Sequence, residues 1–138
     1  MKRHLHVACA IIEQEGKVLA AQRSATMTLP LKWEFPGGKI ETGESPEECL
    51  LRELKEELDI TVFIATALSP STHSYIDFTV TLYPFTCRLA GGSITMHEHH
   101  DLQWIEPKRM PDLDWAAADL PVIDEYLATA IAAEVVTL

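Results

Sequence analysis

The chain has 138 residues, 47% hydrophobic and 23% charged, with 21 acidic against 11 basic side chains and a formal net charge of −10. That length suits one domain, residues 1–138, able to bury roughly two-thirds of its unfolded surface. The acidic balance argues against a nucleic acid polymer or an anionic membrane as partner, because both reward basic surfaces. Cys9, Cys49 and Cys87 are odd in number, lack C-x-x-C spacing and sit among apolar residues, so they read as small buried hydrophobes. The basic start, MKRH, leads into an apolar run that stops at Glu13 with no small-residue cleavage site, and no stretch approaches 18 apolar residues. The expectation is a cytoplasmic protein, monomer or homodimer.

In chain order, HVACAIIEQEGKVLAAQR predicts two strands joined by a tight turn at Glu15-Gly16. SATMTLPLKWEFPGGKIETGE, rich in Gly, Pro and Thr, predicts a long loop with a short strand at Trp33–Phe35. A helix opens at Ser45, with Ser as N-cap, Pro46 at the first helical position and Glu48 closing a capping box. Leu50, Leu51, Leu54 and Leu58 recur at helical spacing as its buried stripe. ITVFIATALS and YIDFTVTLYPFTCRLA predict strands, the second long and alternating, and DLQWIE a further short one before a Pro-rich turn. Pro121 to about Val135 predicts a closing amphipathic helix. Strands dominate, with one helix in the middle and one at the end, which describes a single α/β domain with a sheet between helices.

Glu53, Glu56 and Glu57 fall on one side of the central helix. Like charges that close repel by on the order of 1–3 kcal/mol per pair near a surface. A divalent cation would relieve that repulsion, and Mg²⁺ prefers carboxylate oxygens together with waters and phosphates. Taken alone, the triplet also fits a solvated acidic face. Upstream, PGGKIETGE places two glycines where backbone can approach a ligand, and Glu44 lies two helical turns below Arg52, whose fork can orient a carboxylate.

Gly38, Glu44, Arg52, Glu53, Leu54, Glu56, Glu57 and Ile60 match eight of the nine fixed positions of G-x5-E-x7-R-E-U-x-E-E-x-G-U, where U is bulky and apolar. The sequence therefore resembles the Nudix hydrolase family. WEFPGGK, Glu98 in MHEHHDLQW and AADLP extend the resemblance to the MutT-like branch, most similar to CTP and other nucleoside triphosphate pyrophosphohydrolases. One position departs: Asp59 stands where the family has Gly. It ends the helix, where left-handed backbone is usual and Asp tolerates it better than most residues, so the expected cost falls on the cap and not on activity.

The resemblance implies a Nudix-type α/β/α sandwich with a mixed, partly antiparallel sheet. It implies hydrolysis of a small nucleotide, NTP + H₂O → NMP + PPi, on CTP-type or oxidised nucleotides such as 8-oxo-dGTP. Glu53, Glu56 and Glu57, with the Gly37 carbonyl and Glu98, would hold one to three Mg²⁺ or Mn²⁺ ions. Either Glu53 or Glu98 would take the proton from the attacking water, while Glu44 and Arg52 would orient Glu53. Gly38, Lys39 and Arg23 fall on the substrate side, Arg23 at a phosphate-contacting position. Phe35, Phe78 and Trp104 would either stack on a base or pack in the core. Tyr75 lies near where dinucleoside polyphosphate hydrolases carry a Tyr. Asp119 would either read the base edge, as an acceptor-only carboxylate, or cap the closing helix. His97, His99 and His100 lack the spacing of a zinc site and read as an exposed polar loop. Two alternatives remain: a Nudix hydrolase of nucleotide sugars or dinucleoside polyphosphates, and a non-catalytic nucleotide-binding module.

Overall fold

The computed structural model describes residues 2–137, with side chains described through Ala130. Strand β1 (Arg3–Gln14) turns into β2 (Lys17–Gln22) through Glu15 and Gly16, at φ 52° and 76°. Two successive positive φ values match the right-handed twist of a hairpin, as the expected tight turn requires. Two short strands follow, β3 (Trp33–Glu34) and β4 (Gly37–Lys39), then helix α1 (Pro46–Leu58). After it come β5 (Thr61–Ala67), β6 (Ser71–Ser74), β7 (Phe78–Gly91) and β8 (Asp101–Ile105), two 3-10 turns and the closing helix α2 (Leu120–Thr137). Among the described residues no helix is long and apolar enough to cross a membrane.

The sheet runs β3-β2-β1-β7-β5, with β4 on β1, β6 on β7 and β8 on β2. β1 and β7 pair in parallel from Arg3–Phe78 to Glu13–Arg88, and the other strand pairs are antiparallel. This is the mixed sheet of an α/β/α sandwich. Side chains alternate across β1: Cys9 and Ile11 join the cluster under α2 with Val122, Ile123 and Tyr126, while Ala8, Ala10 and Ile12 join the one under α1. Leu50, Leu54 and Leu58 are fully buried there, each worth roughly 1.5–3 kcal/mol of transfer free energy.

α1 carries the predicted cap. Glu48 N–H donates to the Ser45 hydroxyl, Ser45 N–H donates to the Glu48 carboxylate, and Pro46 holds the first turn. At its other end Asp59 takes φ 58°, ψ 32°, and its N–H returns to Leu54 and Lys55 carbonyls.

Four expectations need correction. Leu51 is 42% exposed, at the edge of the stripe that Leu50, Leu54 and Leu58 bury. Gly37–Lys39 is a strand: glycine gives no propensity signal, but β1 supplies partners at Val7, Ala8 and Cys9. The long strand begins at Phe78, since Tyr75–Asp77 forms the bend linking it to β6. Finally, His97 and His100 are exposed as expected, but His99 is buried. The last stretch expected of the closing helix, 131–135, has side chains outside the described residues.

Candidate active site

Backbone contact between β4 and β1 sets the floor of the site. A Cβ on Gly37 would strike the Ala8 carbonyl oxygen, and one on Gly38 would occupy the space of the Glu53 carboxyl group. Glycine at 37 lets β4 lie close against β1, and glycine at 38 leaves room for Glu53 of α1 to reach β4. Arg52, the preceding residue, orients that carboxylate. Its Nε and Nη2 donate to both Glu44 oxygens at 2.7 and 2.9 Å, Nη1 donates to Glu53 Oε1 at 2.9 Å, and Nη2 also reaches the Lys39 carbonyl at 3.2 Å. The fork lowers the Glu44 pKa to about 2, chiefly through the Arg52 hydrogen bonds. Glu56, with 61% of its side chain exposed, pairs with Arg52 at 3.3 Å on the outer flank.

One turn further along α1 lies Glu57, whose Oε2 is shielded from solvent and has no hydrogen-bond partner. Burial, then the charges of Glu53, Glu98 and Glu34, push its pKa up to about 8. Burial also raises Glu53, against the opposing pull of Arg52. A buried oxygen with no donor, surrounded by three more carboxylates, is an uncompensated acceptor of the kind a cation satisfies. Among the described residues no three His, Cys, Asp or Glu side chains already stand at metal-ligating spacing.

These groups open onto a cavity of about 920 Å³. Of the residues singled out by sequence, Arg23, Phe35, Gly37, Gly38, Lys39, Glu53, Glu57, Tyr75, Phe78, Glu98, His99 and Asp119 line it, while Glu44, Arg52 and Glu56 stand behind or beside it. Its apolar wall comes from alternate residues of the parallel pair, Leu5 and Val7 on β1 with Phe78, Val80 and Leu82 on β7. Phe35 is 3% exposed and packs against Trp115 at 4.9 Å between ring centroids, so it is both core and cavity wall. Trp104 is half-buried on the opposite face of the sheet, packed against the cluster under α1, and does not line the cavity. The Arg23 guanidinium is committed to internal bonds, to Glu34 at 2.7 Å and to the carbonyl and hydroxyl of Thr28 at 2.6 and 3.0 Å.

At the end away from α1, Asp119 is 5% exposed, and its Oδ1 accepts from Phe35 N–H at 3.3 Å. It closes the second 3-10 turn (Ala117–Asp119), and among the described residues no N–H of α2 donates to its carboxyl, so it is not a helix cap. Burial and the Glu34 charge hold it well above the usual carboxylate range. Tyr75 braces the same turn, its hydroxyl accepting from Ala118 N–H at 2.9 Å and its ring lying 4.9 Å from Phe78.

Glu34 was not anticipated as a member of the site, and its partner His99 was expected only in an exposed loop. Glu34 lies between the carboxylates of α1 and Asp119, raising the pKa of both Glu57 and Asp119. It bonds Arg23 on one oxygen and His99 Nε2 on the other at 3.0 Å. The available signal was its place in WEFPGGK, a charge between two large aromatics on a strand.

The NUDIX domain family matches residues 2–126. The chain is 34% identical over 124 residues to the CTP pyrophosphohydrolase of Escherichia coli K12, covering 90% of this chain and 92% of that protein. It is 42% identical over 127 residues to an 8-oxo-dGTP diphosphatase of Haemophilus influenzae, covering 91% and 93%. Its fold superposes on the solution structure of the E. coli ORF135 protein with a TM-score of 0.81 at 32% identity, over 95% of this chain and 94% of that one. With Gly38, Glu53 and Glu57 of the box lining one cavity and a family match spanning residues 2–126, the chain belongs to the Nudix family.

Proposed function

We propose that the protein is a divalent-metal-dependent pyrophosphohydrolase that converts nucleoside triphosphates to the monophosphate and pyrophosphate. The observation that carries this reading is the partnerless, buried Glu57 Oε2 beside Glu53 and Glu98, at one end of a cavity whose other end is apolar and closed by Asp119. Such a cavity matches a nucleotide, with an anionic tail at the carboxylate end and a planar base at the other. The relatives' names agree in reaction type, one acting on CTP and others on 8-oxo-dGTP.

Glu53, Glu57, Glu98 and the Gly37 carbonyl would hold Mg²⁺ or Mn²⁺, with Glu56 beside them on the outer flank of α1. A cation held there would supply charge neutralisation for a polyphosphate and Lewis acidity toward water. The protein's part is placement. Arg52, fixed by Glu44, keeps one Glu53 oxygen engaged and leaves the other facing β4 and the cavity. Glu53 or Glu98 accepts the proton as water attacks one phosphorus of the α–β bridge; that P–O–P bond breaks, and the nucleoside monophosphate and pyrophosphate are released. Lys39 on β4 offers a cation to the tail. The apolar strip of β1 and β7, with Phe35 and Phe78, excludes water around the base.

A product assay over normal and oxidised NTPs, UDP-sugars, ADP-ribose and Ap₄A in Mg²⁺ tests the reading. The expected outcome is monophosphate plus pyrophosphate, abolished by EDTA and restored by Mg²⁺ or Mn²⁺. Two phosphorylated fragments from a bridged substrate would establish the alternative specificity. Binding without turnover would establish a nucleotide-binding module.

A further inference from the structure

Glu98 sits on a segment, residues 92–100, with no regular structure, between β7 and β8. A carboxylate on such a segment needs fixing, and four contacts do so. Thr95 N–H donates to the Leu58 carbonyl at the end of α1 at 2.9 Å, and His100 N–H donates to the Gln22 carbonyl of β2 at 2.8 Å. Between these, the residues on either side of Glu98 each bond a carboxylate: His97 Nε2 lies 2.9 Å from Asp59 Oδ2, and His99 Nε2 lies 3.0 Å from Glu34 Oε2. The second pair is enclosed, with the His99 side chain 3% exposed and Glu34 held on its other oxygen by Arg23 at 2.7 Å. The first involves the one box position at which this chain departs from the pattern. Asp59 holds φ 58°, a left-handed conformation that glycine adopts more readily, but glycine has no carboxylate to offer His97.

We propose that the His97–Asp59 and His99–Glu34 pairs are two staples that position Glu98 over Glu57, and that Asp59 replaces the box glycine to supply the first of them. The inference rests on the metal-binding reading of Glu98, but the test does not require turnover. In the folded, nucleotide-free protein, Asp59→Gly and His97→Ala should speed amide exchange across 93–100 and weaken Mn²⁺ binding by about two- to fivefold, the scale of an exposed pair. His99→Leu should do both by roughly tenfold or more, the scale of a buried polar group losing its partner. His99→Gln, which keeps an N–H for Glu34, should recover most of the loss. Asp59→Gly should leave the melting temperature unchanged or higher, since it relieves the left-handed residue. In a Glu98→Gln background the Mn²⁺ penalties of Asp59→Gly and His99→Leu should disappear, because they act through the side chain already removed. Unchanged exchange across 93–100, or Mn²⁺ penalties of full size in the Glu98→Gln background, would overturn the proposal. Absent nucleotide turnover in the wild type would instead remove the proposed reaction and leave both readouts intact.

Discussion

Glu57 concentrates the electrostatic tension of the site in one carboxyl. Burial and three like charges raise its pKa from 4.5 to about 8. Between those values the folded chain keeps a proton that the unfolded chain has lost, so stability is greatest below the lower value and falls as pH rises through the upper one. The metal-free protein should therefore melt at progressively lower temperature from pH 5 to 8, and Glu57→Gln, which cannot ionise, should flatten that slope. A melting curve whose pH dependence ignores the substitution would place the proton elsewhere. A cation must displace the same proton, so its affinity should climb by up to roughly tenfold per pH unit across that window, measurable by titration calorimetry. Asp119 makes the complementary case. Sequence suggested an acceptor-only carboxylate, but burial beside Glu34 favours the protonated form, which offers a donor and an acceptor as Asn does. Asp119→Asn should then keep the ranking of bases, while Asp119→Leu should lower kcat/KM for the preferred nucleotide by on the order of 10–100-fold. Equal kcat/KM values for both variants would take Asp119 out of base recognition.

The central helix and the glycine strand form one device, and neither places Glu53 without the other. A methyl on Gly38 would meet the movable end of the Glu53 side chain, not backbone. Gly38→Ala should therefore leave the fold standing while displacing the carboxylate. We expect kcat to fall by about 10²-fold or more, some 2.7 kcal/mol of barrier, with the thermal midpoint barely moved. Glu47→Gln, at an exposed position in the first turn, should behave as wild type, and equal damage from both would mean that α1 presents a different face to the substrate. The same device explains what sequence could show. Helix α1 was legible to its caps because Ser45, Pro46 and Glu48 act within one turn, and the Arg52–Glu44 clamp joins the helix to the residue just before its N-cap, only eight positions away. β4 was not, since a Gly-Gly-Lys strand exists only because β1 lies beside it. The Glu34–His99 bond was missed for a related reason: it joins positions 65 residues apart, so nothing local to either residue announces the pairing. Leu51 shows the converse limit, where helical spacing alone assigned a burial that the sheet does not provide.

At the scale of the molecule, the parallel pairing of β1 with β7 brings the two ends of the cavity into one rigid frame. β1 supplies wall residues and the register for β4, β7 supplies the opposite wall, and the helices on the two faces contribute the carboxylates and the packing behind Asp119. The frame carries a net charge of −10, so the ionised cluster on α1 adds to a self-repulsion already spread over the surface. A ligand that binds the folded state alone stabilises it by RT ln(1 + [L]/Kd), about 2.7 kcal/mol at a hundredfold excess over Kd. For a chain of this size that corresponds to an upward shift of the melting temperature of roughly 10 °C. Divalent Mg²⁺ or Mn²⁺ should produce it at concentrations where Na⁺, matched for ionic strength, does not, because screening weakens repulsion without filling the position beside Glu57 Oε2. Glu53→Gln and Glu57→Gln should each remove most of the divalent-specific shift, while Glu47→Gln should keep it. A shift of equal size in all three variants would mean that the cations act on the overall acidic surface, and the carboxylates of α1 would then be a solvated face and not a metal platform.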